Sequence, residues 1–175
     1  GDSVTVFGTD TDLVIMMRHF WEPGMGYLIL HSDYTRNKRK QLKQLEIKKA
    51  MSKINRVVKP YLLLIHAFGG CDTTSVIQDK GKAAIPNLIE NSKKVRTAAD
   101  VFMDPESSQE QIGKAGVQLF VLLYKGKAFD TLADLRYNLY MKMAASAQKI
   151  DPSKLPPTEN TANQHGKRVY LQIWQ

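Results

Sequence analysis

Two apolar segments of this chain each run into aspartate, and that limits what it can fold into. Val4–Phe7 is closed by Gly8 and Thr9, and Asp10 and Asp12 follow at once. Pro60–Phe68 is closed by Gly69 and Gly70, and Asp72 follows two residues later. Carboxylates at the ends of buried elements are the oxygen ligands that hard divalent cations take. The same residue type also caps helices and opens turns.

The pattern around the first pair predicts a strand at Val4–Phe7 and a helix at Leu13–Phe20 with Asp12 as its N-cap. Glu22–Gly26 holds a proline and two glycines and is a turn. Tyr27–His31 is a second strand. Strand, helix and strand in so short a span imply parallel pairing. If the backbone stays extended through Asp12, residues 10 and 12 point the same way, at the carboxyl end of a strand, where open α/β sheets bind ligands.

Arg36–Lys59 is dense in Lys and Arg, with Lys38, Arg39 and Lys40 at its head. Leu42, Leu45, Ile47, Met51 and Ile54 interrupt it, so part of it should pack. A run of this kind is a solvated loop and helix face or a site for phosphates. Lys38–Lys40 also has the composition of a nuclear-import signal.

The rest is helical. After Pro60–Phe68, a short helix is expected over Gly81–Asn91, opened by the Lys80-Gly81-Lys82 loop. Ser107–Glu110 has the capping-box spacing, and Ile112, Ala115, Leu119, Phe120 and Leu123 form the stripe behind it until Gly126. Thr131–Asp134 is a second cap, for a helix striped by Leu132, Leu135, Leu139 and Met143. Asp151–Pro157 is a proline-rich linker, and Thr158 caps a last helix with Ala162, His165, Val169 and Ile173 on one face. Aromatic and methionine residues on these stripes are core.

Lys and Arg number 25 against 17 Asp and Glu, a net charge of +8 on 175 residues. That excess fits an anionic partner, nucleic acid before membrane surface, or simply a soluble basic protein. The one cysteine, Cys71, excludes an internal disulfide and fits a reducing, intracellular setting, nucleus or cytoplasm. It reads as a small buried residue. No apolar run has membrane-spanning length. His66, inside an apolar helix, reads as a core histidine; His19, His31 and His165 lack ligand spacing.

Taken in order, Thr9-Asp10-Thr11-Asp12, Gly70-Cys71-Asp72 and Asp79-Lys80-Gly81-Lys82 resemble the flap-endonuclease (XPG-type) branch of the PIN-like nucleases. That family has a strand ending in D-x-D, a helix ending in G-C-D, and a helix–three-turn–helix with a G-x-G hairpin. The Gly-Cys-Asp-Thr-Thr-Ser run is also similar to that of invertebrate and mobile-element-associated proteins. The resemblance covers residues 2–91. It implies an α/β, mostly helical fold, with short parallel strands of a PIN-like sheet, a helix–hairpin region and a helical extension. Domains 1–91 and 92–175 follow.

The resemblance further implies metal-dependent, structure-specific hydrolysis of phosphodiester bonds in DNA or RNA, DNA ahead of RNA. Asp10, Asp12 and Asp72 would be catalytic as ligands of one Mg²⁺ or Mn²⁺. Lys80, Gly81 and Lys82, with Lys38, Arg39 and Lys40, would meet the nucleic acid. Two departures stand out. Asp79 occupies the place of the hairpin's first glycine. The carboxylates of the family's other metal site lie upstream of this stretch, so it matches the carboxyl-terminal half of such a domain. It would need the amino-terminal half or a partner chain, and is expected to cleave little by itself. The alternative is a catalytically inactive, nuclease-like scaffold that binds nucleic acid or protein.

Overall fold

A computed structural model describes residues 3–36, 39–78, 80, 84–127, 129–146 and 150–174. The chain divides into two compact units, Gly1–Leu63 and Leu64–Gln175.

The first unit is a βαβ motif continued by a hairpin. Strand β1 (Ser3–Phe7) leads into helix α1 (Thr11–Phe20), and the chain returns as β2 (Tyr27–Arg36). β1 and β2 pair in parallel, from Ser3 opposite Tyr27 to Phe7 opposite His31. β2 runs five residues past the expected His31 and turns into β3 (Arg39–Glu46), which pairs with it antiparallel. The sheet is thus mixed, in the order β1-β2-β3: the expected parallel pair is present, and β3 adds an antiparallel strand. The basic run is mostly strand at its head because its backbone groups are taken by β2, a partner that no local pattern announces. Short helix α2 (Ile47–Met51) follows. Met17 and Trp21 of α1, Leu30 of β2, Ile47 and Met51 of α2, and Leu62 form one apolar core. Lys59 lays its ammonium over the Trp21 ring, 5.9 Å from the centroid.

The second unit is helical: the end of α3 (Leu62–Phe68), then α4 (Ala84–Asn91), α5 (Lys93–Met103), α6 (Gln109–Leu123), α7 (Leu132–Ala145) and α8 (Glu159–Trp174). Its core is aromatic. Phe68 of α3 packs on Phe120 of α6 at 4.9 Å and edge-on to Phe102 of α5 at 6.3 Å between ring centroids. His165 of α8 closes the cluster, 5.1 Å from Phe68 and 5.3 Å from Phe120. Ala162, His165 and Val169 are buried on one face of α8, as the stripe predicts.

Two caps differ from the sequence reading. Asp10, and not Asp12, is the N-cap of α1. Ser108 with Gln111, and not Ser107 with Glu110, forms the capping box of α6. In each case the helix starts one or two residues from the expected point. Thr131 caps α7 as expected, its hydroxyl accepting from the Asp134 N–H. The Thr158 hydroxyl accepts from the Thr161 N–H at the start of α8.

Candidate functional site

The acidic pair sits where β1 gives way to α1. Gly8 extends the ladder by donating its N–H to the His31 carbonyl at 3.0 Å. Asp10 then has extended backbone, φ −74° and ψ 133°, and the helix begins at Thr11. Asp10 Oδ1 accepts the Asp12 backbone N–H at 2.9 Å. The backbone therefore does not stay extended through Asp12, and strand alternation does not aim the two side chains. What places them is the helix start: one carboxylate caps it, the other lies in its first turn, both where the macrodipole favours negative charge. Asp10 is exposed and Asp12 half-buried.

Asp72 belongs to the second unit. It lies at the tip of a tight turn in which Cys71 and Thr74 pair as an isolated antiparallel bridge. Gly70 leaves α3 with φ +103°, and a Cβ there would fall 2.6 Å from Val76 Cα, so only glycine fits. The buried Thr74 hydroxyl donates to the Ala67 carbonyl at 2.6 Å, tying the turn to the helix. Asp72 itself is exposed. Cys71 is half-buried rather than buried, with Sγ 3.2 Å from Thr74 Oγ1 and 3.4 Å from Thr73 Oγ1. Burial pushes its thiol up, but the hydrogen bonds of Thr73 and Thr74 outweigh this and bring it below the usual range. Thr73 also donates to the Gln172 side-chain oxygen on α8.

A metal can be tested against this geometry. An ionised carboxylate offers about four acceptor sites, and the cap takes one of those on Asp10. Acceptor capacity remains on Asp10, but Mg²⁺ wants about six oxygens and usually keeps waters beside one or two carboxylates. Within each unit taken by itself, no group of three or more His, Cys, Asp or Glu among the described residues is placed to hold an ion.

Among the predicted phosphate contacts, Lys80 is half-buried with its ammonium over the Tyr124 ring, 5.2 Å from the centroid. Arg39 and Lys40 lie at the start of β3, facing Arg36 and Thr35 in register. Lys38, Asp79, Gly81 and Lys82 fall outside the described residues, and the helix expected from Gly81 is described from Ala84. Arg18, on the last turn of α1, is a cation that composition and motif do not single out. Its position becomes informative only once α1, β3 and α2 are seen together.

Comparison with protein families, with curated proteins and with solved structures gives no match. No helix among the described residues is long and apolar enough to cross a membrane.

Proposed function

We propose that this chain is a nucleic-acid-binding domain of the PIN-like, flap-endonuclease type, acting in the nucleus or cytoplasm. The observation that carries the reading is the β1–α1–β2 unit. A parallel strand delivers Asp10 and Asp12 to its carboxyl end, the edge where α/β sheets take ligands. The same sheet continues into the basic hairpin and α2, where Lys43, Lys48, Lys49, Lys53 and Arg56 are exposed. With the +8 charge, this is the electrostatic setting that a phosphodiester backbone requires.

In this reading Asp10 and Asp12 would supply carboxylate ligands to one Mg²⁺ or Mn²⁺. Such an ion would stabilise charge on the scissile phosphate and activate a water. The second reading is a binding scaffold without hydrolysis. It is favoured by the cap, since Asp10 already has a structural task. The need for further chain, whether the domain's amino-terminal half or a partner, is supported by β1. It is an edge of the three-stranded sheet, with Val4 55% and Phe7 74% exposed.

The test uses the purified chain with fluorescein-labelled single-stranded, duplex and flap DNA, and RNA of the same sequence. Binding that weakens steeply with salt and is tightest for DNA is expected. Absence of binding at 50 mM salt, a condition set by the experimenter, would end the reading. Cleavage in Mn²⁺ that Asp12→Asn abolishes selects the nuclease; binding without cleavage selects the scaffold.

A further inference from the structure

We propose that the groove between α1, β3 and α2 is the seat of the nucleic-acid backbone, holding phosphate through Arg18, Lys49 and Lys53. The inference rests on the nucleic-acid reading above and gives it a location. None of these three residues belongs to the Lys80–Lys82 loop or the Lys38–Lys40 cluster.

The groove is a surface cleft of about 580 Å³. Arg18 enters it from the last turn of α1, Lys49 from α2 and Lys53 from the turn beyond. Gln44 and Glu46 of β3 complete its polar wall. Three cations therefore converge on one space against a single carboxylate. Among the described residues, none of the three cations has a carboxylate within ion-pair distance. Their charge is left for a ligand to neutralise.

Arg18 strengthens the case. Its Nε is shielded from water and has no hydrogen-bond acceptor among the described residues. Part of the guanidinium thus lies in a medium of lower dielectric, where an approaching anion is attracted more strongly than at a free surface. Lys49 and Lys53, by contrast, are exposed point charges that can follow a flexible strand. The shape selects among anions. The volume is many times the ~30 Å³ share of one water molecule in liquid, so a lone phosphate would rattle in it. Leu45, Ala50 and Ile54 add apolar lining where a sugar or base edge can rest. The cleft opens to solvent, so a polymer can enter and leave it without an end.

The experiment measures binding of a fluorescein-labelled single-stranded DNA to the full chain across a salt series, by anisotropy. Lys49→Ala with Lys53→Ala is compared with Lys94→Ala with Lys142→Ala, which removes equal charge from exposed helical positions of the second unit. The groove variant should lower the slope of log K against log salt by up to about 1.4, from about 0.7 per phosphate on a single strand. Its affinity at 0.1 M salt, again a chosen condition, should fall on the order of tenfold. The control pair should keep the slope. Glu46→Gln should tighten binding, a gain that loss of folding cannot imitate. If the wild type binds but the two double variants behave alike and Glu46→Gln gains nothing, the groove is not the seat and the function reading survives. If the wild type does not bind, both fall together.

Discussion

Asp10 caps the helix that carries Asp12, with Oδ1 2.9 Å from the Asp12 backbone N–H. The two acids of the D-x-D motif are therefore linked through the backbone and not through a shared strand face. Removing the cap should cost stability: Asp10→Ala about 1 kcal/mol, Asp10→Asn only a few tenths, because the amide oxygen caps equally well. Urea unfolding followed by far-ultraviolet circular dichroism measures both. A loss as large for Asn as for Ala would mean that the charge, and not the cap, does the stabilising. Asp10→Asn is then also the variant that separates any metal role from the structural one.

Helices α6 and α8 meet almost backbone to backbone. A Cβ on Gly166 would stand 3.1 Å from the Ile112 carbonyl oxygen and 3.2 Å from Gly116 Cα. Both neighbours are main chain, so neither yields by changing rotamer. Gly166→Ala should destabilise by roughly 1–3 kcal/mol, as overpacking of a tight core does. Gly24 is the control, since a Cβ there meets nothing within 4 Å. Gly24→Ala should be neutral or slightly stabilising, by up to about 1 kcal/mol through the unfolded chain. Thermal midpoints of the two variants decide it.

His165 is 2% exposed, and its Nε2–H donates to the Phe68 carbonyl at 3.1 Å. Burial lowers its pKa; the bond to Phe68 pulls the other way, and the Arg168 charge adds to the lowering. The folded state thus binds the proton less readily than the unfolded chain, whose histidine titrates near pH ~6.5. Stability from this group is complete above that value and is lost as pH falls below it, until the folded pKa is reached. The loss can approach about 1.4 kcal/mol per pH unit. Denaturant midpoints between neutral and mildly acid pH should fall for the wild type and fall less for His165→Gln. Equal slopes would mean that another group dominates the acid response.

The helices were legible because their signals are local. The Ile112–Leu123 and Ala162–Ile173 stripes, the Thr131 and Thr158 caps and the Gly69-Gly70 stop each lie within one or two turns of what they control. Parallel pairing of β1 with β2 was legible from the shortness of the strand–helix–strand span. Strand β3 was not, because its charged residues hide a strand whose hydrogen bonds go to β2. The three aspartates do follow β1 and α3, but β1 is largely exposed and not the buried strand its apolar residues suggest; that Asp10 and Asp12 belong to one compact unit and Asp72 to the other is not encoded in the spacing. Arg18 was invisible for the same reason: a lone cation on an amphipathic helix gains meaning only from Lys49 and Lys53 across the groove.

The start of α6 tests how finely such signals can be read. The sequence offers two overlapping boxes, Ser107 with Glu110 and Ser108 with Gln111, and both satisfy the spacing rule. The second forms. Ser108 Oγ accepts the Gln111 N–H at 3.2 Å, and Gln111 Oε1 accepts the Ser108 N–H at 2.8 Å. Ser107 instead gives its N–H to the Asp104 carbonyl at 3.2 Å, and Glu110 pairs with Lys114 one turn on at 2.6 Å. The Ser107 N–H and the Glu110 carboxylate, which the first box would pair, are thus engaged elsewhere, while the second box forms. Ser108→Ala should cost about 1 kcal/mol and Ser107→Ala much less. Gln111→Ala should lose part of the Ser108 effect, and the double variant should cost less than the sum of the two single changes, since the two bonds share one box. Equal losses for Ser107→Ala and Ser108→Ala in urea titration would show the two starts exchanging in solution.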